Sequence, residues 1–397
     1  MKKNVWLKTA LPAVVAVLLY GAGPQPAQAP RFEVDPLWPK PLPNHWILGQ
    51  TIGVSVDAQD HVWIIHRPGS LEAGEHHATG NPPIAQCCMA APPVLEFDQA
   101  GNLIGHWGGP GKGYDWPISN HGITVDYKGN VWIGGNGREA ESGRGAVGGT
   151  DEPAGGRGLP RGFNSYEDNM VLKFTQEGKF LMQIGKPHSS RGSNDMANLR
   201  LPAKTFVDPK TNELYVADGY GNHRVIVFDA DTGKYKRHWG AYGNKPNDDK
   251  QAPYDPGKPV SQQFGNPVHC VRISKDGLVY VCDRTNDRYQ IFKKDGTFVS
   301  EHFFERNTRL NGSVYEIAFS PDREQKFIYM VDGSNGEVRI VDRATNEVLG
   351  RFGRVGRQAG EFTAAHNTTV DSAGNIYTAE VADGMRVQRF RRIDLQN

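Results

Sequence analysis

The chain has 397 residues and a formal net charge of +1, with 22% charged residues. A balance so close to neutral gives no reason to expect nucleic acid or an anionic membrane surface as a partner. Glycine (47) and proline (26) are abundant and aromatic residues reach 10%, a composition that favours many short strands joined by turns. Two domains are the usual expectation at this length, but single all-β domains often exceed it.

The N-terminal segment has the layout of a secretory signal peptide. Two lysines precede a short apolar stretch at 9–19, and small residues follow up to Ala29. The apolar stretch is too short for a comfortable membrane span. We therefore expect residues 1–29 to be removed on export, with an uncleaved anchor as the alternative. Residues 30–397 would then form a secreted or periplasmic protein.

The rest of the chain repeats a β-hairpin whose alternating apolar residues flank a turn rich in Asp, Gly and Asn. Six copies occur, at 52–67, 121–136, 203–222, 269–286, 315–335 and 366–383. A second hairpin follows each of the first five copies, at 94–108, 170–185, 224–240, 289–304 and 338–353. Each pair of hairpins makes a four-stranded sheet. The pattern predicts an all-β fold, a six-bladed β-propeller, whose units resemble NHL repeats.

The sixth unit stops after a third strand at 385–393. We expect its outer strand to come from "RFEV" at 31–34, so that the two ends of the domain pair and close the ring. This closure would remove the open sheet edge that an incomplete blade leaves.

Four cysteines occur, at 87, 88, 270 and 282. If the fourth hairpin turns around residues 275–277, Cys270 faces Cys282 at a distance slightly long for a disulfide. A cross-strand disulfide and two buried thiols are both open interpretations. A vicinal pair such as Cys87–Cys88 is seldom bonded to itself, and the sequence does not decide its state.

One position of the inner strands carries histidine in alternate units. Counted five residues before the residue that closes each strand, this position reads Ile52, His121, Ala203, His269, Tyr315 and His366. Units two, four and six are related by rotations of about 120° in a six-bladed ring, so the three imidazoles should converge on the axis. Three imidazoles with an open fourth position suit Zn²⁺, with copper, iron or nickel as alternatives. The structural alternative is three unrelated histidines that hold water.

Four long loops are expected on the face where the inner strands begin. They span 68–93, 137–169, 186–201 and 241–266. Such loops would wall a pocket, or else form solvated glycine-rich excursions. Arg67 and Tyr220 end second strands on this face and should reach toward the metal. Asp283 and Arg284 lie at the same level, with a buried structural ion pair as their alternative role.

Several motifs together resemble the catalytic domain of peptidyl-α-hydroxyglycine α-amidating lyases. They are "LGQTIGVSVD" followed by "HR" (48–67), "HGITVD" (121–126), "VADGYGNHRVIVF" (216–228), "PVHCVRI" followed by "VCDR" (267–284) and "AHNTTVD" (365–371). The motifs occur in order over almost the whole chain after the expected signal peptide, which makes the resemblance more specific than a general propeller match.

The resemblance implies a zinc ion held by His121, His269 and His366. It also implies that Tyr220 is the general base and that Arg67 assists it, because nearby positive charge favours an ionised phenol. Arg67 could also bind a substrate carboxylate. The implied reaction cleaves a carbinolamide N–C bond and yields an amide and glyoxylate.

The resemblance further implies a calcium ion on the axis. Its ligands would be the carbonyl groups of Val54 and Ile123 and an aspartate at the position of Asn367. An amide oxygen is a weaker ligand for a hard cation than a carboxylate, so calcium is an open second cofactor. Ala364 also replaces a methionine of the family, and Gly221 replaces a disulfide cysteine. These departures leave the histidines intact and put the substrate in question.

The sequence thus predicts an exported, zinc-dependent lyase with a small-molecule or peptide substrate. We expect a monomer that binds no nucleic acid and, after signal removal, no membrane. One alternative is a lactone or ester hydrolase on the same scaffold, which would activate water at the metal and would not need Tyr220. The other is a non-catalytic NHL binding module.

Overall fold

The computed structural model describes residues 28–138 and 166–394, together with Met1 and the short strand Ala146–Val147. The expected signal peptide at 1–29 lies outside the described residues apart from its ends. The described chain forms six four-stranded antiparallel sheets, which succeed one another as blades 1 to 6. The all-β, six-bladed prediction is therefore confirmed.

The strands of blades 1 to 3 follow chain order from the axis outward. Blade 1 contains Gln50–Val56, Val62–Arg67, Val94–Phe97 and Leu103–Trp107. Blade 2 contains Asn120–Val125, Val131–Gly135, Met170–Phe174 and Phe180–Gly185. Blade 3 contains Lys204–Asp208, Glu213–Asp218, Arg224–Asp229 and Tyr235–Trp239.

Blades 4 and 5 repeat this order, and blade 6 combines the two ends of the described chain. Blade 4 contains Val268–Ile273, Val279–Asp283, Arg288–Phe292 and Phe298–Phe303. Blade 5 contains Glu316–Phe319, Phe327–Asp332, Glu337–Asp342 and Val348–Phe352. Blade 6 contains Ala365–Val370, Ile376–Glu380, Arg386–Arg392 and, as its outer strand, Phe32–Asp35.

The inner strands enclose the axis. Each contacts the inner strands of the two adjacent blades, and that of blade 6 returns to that of blade 1. Six apolar clusters of buried residues fill the six interfaces between adjacent blades. The core is therefore a ring around the axis, and it fixes the relative positions of residues on the inner strands.

The ring closes between the two ends of the domain. Phe32–Asp35 pairs antiparallel with Arg386–Arg392, and Ile393 donates a backbone hydrogen bond to Arg31. The prediction that the N-terminal strand completes blade 6 is confirmed. This pairing leaves the third strand of blade 6 with a partner on each side.

Both pairs of cysteines are disulfide-bonded. Cys270 faces Cys282 across the first hairpin of blade 4, and a bond joins them, which settles the alternatives left open for this pair. Cys87 and Cys88 are bonded to each other in the loop after blade 1's second strand. That vicinal bond is the less expected outcome, since neighbouring cysteines seldom pair.

Minor elements lie in the loops. A parallel pair joins Trp46–Ile47 to Met89–Ala90, and a second short pair joins Gly137–Arg138 to Ala146–Val147. The helices are single 3₁₀ turns, at Pro68–Ser70, Ala73–Glu75, His77–Thr79, Ala241–Gly243, Arg284–Asn286 and Ala382–Gly384. Within the described ranges, none of the helices has the length and apolar character that crossing a membrane requires.

Candidate metal centre

Each of the three axial histidines lies at a β-bulge of its inner strand. Strand pairing shifts between His121 and Ile123 in blade 2, and equivalent shifts flank the histidines of blades 4 and 6. A bulge bends its strand and re-aims a side chain. In blade 2 the bulge needs Gly122, whose φ is +73° and where a Cβ would lie 2.6 Å from the carbonyl oxygen of Ala203.

That carbonyl oxygen takes part in one of three equivalent hydrogen bonds that orient the imidazoles. Each histidine uses Nδ1 to bond a backbone carbonyl of the next blade. The bonds join His121 to Ala203 (2.8 Å), His269 to Tyr315 (2.5 Å) and His366 to Ile52 (3.0 Å). The accepting residues occupy the histidine position in the odd-numbered blades. Because a carbonyl oxygen only accepts, each Nδ1 carries the proton and each Nε2 keeps a lone pair.

The three Nε2 lone pairs point into one small space. The Nε2 atoms of His269 and His366 are 3.1 Å apart, and the ligand nitrogens of all three histidines lie within 4.8 Å of one another. Burial, reinforced by neighbouring positive charges, holds the pKa of each imidazole well below its usual range. Three buried, neutral nitrogens at this spacing repel one another unless a cation lies among them. The cluster therefore fits a metal ion and could hold one.

Tyr220 meets this cluster from blade 3. Its hydroxyl oxygen is 3.0 Å from Nε2 of His121 and 3.1 Å from Nε2 of His269. The single hydroxyl proton can serve only one of these nitrogens. The backbone of Tyr220 is fixed by two of the long loops, since its N–H donates to Leu201 and its carbonyl accepts from Asn266. The predicted approach of Tyr220 to the histidines is thus present.

Arg67 lies beside the cluster as a positioned, buried charge. Its guanidinium donates to the carbonyl of Asn120 (3.2 Å) and to the side-chain oxygens of Gln50 (3.1 Å) and Asn136 (2.9 Å). Burial lowers the pKa of Arg67 to about 10, although Tyr220 and Asp168 oppose that shift. Arg67 is therefore protonated at neutral pH, and its charge acts on Tyr220. Sequence reasoning missed the three partners that hold it.

Arg284 is the site residue that sequence reasoning left undecided. The ion pair considered for Asp283 and Arg284 does not form, because Asp283 bonds Arg288 instead (2.7 Å). Arg284 donates to the hydroxyl of Tyr220 (3.3 Å), and its guanidinium lies 4.6 Å from the ring centre of Tyr315. The motif "VCDR" indicated that Arg284 lies on the same face as the histidines, but it did not indicate the partner of Arg284.

The expected calcium position holds a different cation. Asn367 and the carbonyl of Ile123, two of the expected ligands, both accept from the buried ammonium group of Lys204. Val54, the third, contacts Asn367 through its backbone N–H. This arrangement does not fit a calcium ion.

Three of the four long loops lie in the described part of the chain, and most of loop 137–169 does not. Loops 186–201 and 241–266 contact Tyr220 at their C-terminal ends, and loop 68–93 begins directly after Arg67. Loops 186–201 and 241–266 therefore lie next to the cluster through Tyr220, whereas a pocket walled by the long loops stays a prediction.

Comparisons with known proteins show which proteins this chain is similar to. The family model for the NHL repeat matches residues 199–228. The chain is 24% identical over 383 residues to a peptidyl-glycine α-amidating monooxygenase of Mus musculus, covering 91% of this chain and 32% of that protein. It is 24% identical over 383 residues to a peptidyl-α-hydroxyglycine α-amidating lyase of Drosophila melanogaster, covering 89% of this chain and 58% of that protein.

One further sequence relative and two solved structures also match. NHL repeat-containing protein 3 of Homo sapiens is 22% identical over 364 residues, which cover 90% of this chain and 84% of that protein. A solved streptogramin B lyase is 14% identical, with a TM-score of 0.49 over 91% of this chain and 97% of that one. A virginiamycin B lyase of Staphylococcus aureus is 13% identical, with a TM-score of 0.46 over 92% of this chain and 90% of that one.

The chain spans about a third of the mouse monooxygenase and a little over half of the fly lyase. Within that span the similarity runs through nearly all blades, as the sequence motifs indicated. The chain is a six-bladed β-propeller in which residues 199–228 match the NHL repeat, and over most of its length it is similar to proteins named for peptidyl-α-hydroxyglycine α-amidation.

Proposed function

We propose that the protein is an exported, zinc-dependent lyase that cleaves the N–C bond of an α-hydroxyglycine-type carbinolamide. The products would be an amide and glyoxylate. The observation that carries the proposal is the placement of the Tyr220 hydroxyl within hydrogen-bond distance of two Nε2 atoms of the histidine cluster. Relatives named as α-amidating lyases support the same reaction class.

His121, His269 and His366 would hold the metal through Nε2. When bound, zinc would supply Lewis-acid polarisation of the substrate's hydroxyl oxygen. The chain's own contribution is to pre-orient the three ligands, because the carbonyl bonds to Nδ1 fix both the tautomer and the ring plane. A structural role for three water-holding histidines would not need their nitrogens so close together.

Tyr220 would move the one proton that the reaction displaces. It takes the proton of the carbinol hydroxyl as the carbon–oxygen double bond of glyoxylate forms. The C–N bond breaks with its electron pair on nitrogen, and the same proton returns from Tyr220 to that nitrogen to complete the amide. Arg284 and Arg67 favour the phenolate that starts this sequence, since both place positive charge near the hydroxyl.

The two arginines would also select the substrate's charge. Arg67 and Arg284 place two buried guanidinium groups near enough to the cluster for their charges to act on His121 and His366. Either guanidinium group could donate charge-assisted hydrogen bonds to a substrate carboxylate. The three partners of Arg67 keep its guanidinium in place before substrate arrives, which reduces the entropy lost on binding.

Export is part of the proposal. The two disulfides match an oxidising compartment, and the layout of residues 1–29 matches a signal peptide. We also propose that the protein works as a monomer on a small-molecule or peptide substrate.

The experiment is product analysis with α-hydroxyhippuric acid. We expect the zinc-loaded protein to release benzamide and glyoxylate in equal amounts, above the spontaneous rate measured in buffer and with heat-denatured protein. Benzoate among the products would show hydrolysis of the amide bond in place of cleavage of the N–C bond to the carbinol, and would contradict the proposed reaction. Zinc-loaded protein that releases neither product above the spontaneous rate would contradict the proposed substrate class.

A further inference from the structure

A second ring of axial residues lies next to the histidines. The position that follows the histidine position reads Gly53, Gly122, Lys204, Cys270, Glu316 and Asn367. Two of these residues carry opposite charges and are almost fully buried, with Lys204 2% exposed and Glu316 0% exposed. Burying charges is costly unless they are paired and hydrogen-bonded, so their partners show what this ring does.

Lys204 reaches across the axis from blade 3 to three other blades. Its ammonium nitrogen donates to the carbonyl of Ile123 in blade 2 (3.2 Å) and to Oδ1 of Asn367 in blade 6 (3.1 Å). It also lies 3.6 Å from a carboxylate oxygen of Glu316 in blade 5. An ammonium group has three N–H donors, and this site offers three oxygen atoms.

The amide of Asn367 is committed to this arrangement. Its Oδ1 also accepts the backbone N–H of Val54 (3.2 Å), and its Nδ2 donates to Glu316 (2.7 Å). Both lone pairs of Oδ1 are thus used. The opposite amide orientation would turn N–H groups toward Lys204 and Val54, so the network fixes the orientation.

Side chains already supply the positive charge at this position on the axis, without a metal ion. Glu316 is shared between Lys204 and Arg272, whose Nε donates to the other carboxylate oxygen (3.1 Å). Two positive groups and one carboxylate give a net charge of about +1 where the resemblance expects a divalent cation. A calcium ion added here would face an ammonium group at contact distance, and like charges repel strongly in a buried site.

We infer that Lys204 is a built-in cation that takes the axial place of calcium, so that the propeller holds its histidine cluster without calcium. The ring is joined to the cluster through the backbone. Lys204 follows Ala203 and Glu316 follows Tyr315, whose carbonyls orient His121 and His269. Lys204 is therefore a positioning residue. The inference does not depend on which reaction the histidine cluster supports.

The test compares calcium binding and thermal stability in the wild type and in the double variant Lys204→Met/Asn367→Asp. For wild-type protein we expect less than about 0.1 equivalents of bound calcium after dialysis against calcium, and the same Tm in zinc-containing buffer with and without added calcium. The double variant restores a carboxylate and removes the ammonium group. It should bind about one equivalent and gain roughly 5 °C in Tm at saturating calcium.

Lys173→Met is the matched control, because Lys173 is also a buried lysine that bonds a backbone carbonyl, but in the body of blade 2. Its Tm should not respond to calcium. Wild-type protein that binds one equivalent of calcium and has a higher Tm with calcium than without it would overturn the inference. So would a folded double variant that ignores calcium. If the double variant does not fold in either buffer, the wild-type measurement alone decides.

Discussion

Tyr220→Phe is expected to lower the rate of glyoxylate release by about 10³-fold while the metal content stays at the wild-type level. Positioned general acid–base groups contribute roughly 10²- to 10⁴-fold, and Tyr220 would carry the proton in both directions. Phenylalanine keeps the buried ring but removes the oxygen that lies near His121 and His269. Steady-state kinetics on α-hydroxyhippuric acid and elemental analysis of the same preparation measure both quantities.

Tyr315→Phe is the control for this prediction. The ring under Arg284 and the carbonyl that orients His269 both remain in this variant, so its activity should stay within a few-fold of wild type. A Tyr220→Phe variant that keeps most of its activity would instead support a hydrolase-like mechanism with water activated at the metal.

His269→Ala is expected to weaken metal binding by more than about 100-fold, so that the purified protein retains little metal. Loss of a hydrogen bond behind a ligand already costs about 10- to 100-fold in affinity, and this change removes a ligand itself. Elemental analysis after dialysis measures the result. Glyoxylate release should fall with metal content.

His66→Ala provides the comparison for burial. His66 is also fully buried, near the same face, and it accepts the backbone N–H of Gly49 rather than facing the axis. The His66→Ala protein should be less stable than the wild type but should retain its metal. Full metal retention in His269→Ala would show that the ion does not lie among the three histidines.

The architecture and the histidine cluster could be predicted because both depend on repetition. The strand period places residues at equal register in each unit, and the ring converts histidines in alternate units into neighbours. The facing of Cys270 and Cys282 followed from the same hairpin arithmetic. The β-bulges at the histidines were not predicted. They do not change which residues occupy equivalent positions, because these positions were counted back from the residue that closes each strand.

The partners of long charged side chains could not be predicted. Lys204 reaches residues in three other blades, and Arg284 chooses Tyr220 over the adjacent Asp283. Which partner such a side chain contacts depends on the distances between blades, and a repeat pattern in the sequence does not give those distances. The bond between Cys87 and Cys88 depends on a loop conformation outside the repeat. The expected aspartate is replaced by Asn367, and the physical reason for this replacement is visible only in the structure, where Lys204 lies beside Asn367.

Titration of metal-free protein with zinc, while glyoxylate release is followed, tests the proposed zinc-dependent lyase reaction. We expect a rate near the spontaneous one in metal-free protein and a linear rise that ends at one equivalent of zinc per chain. Tyr220→Phe should bind the same equivalent without the rise. Metal-free protein that releases glyoxylate at the full rate, or wild-type protein that binds one equivalent of zinc and stays inactive, would contradict a zinc-dependent lyase.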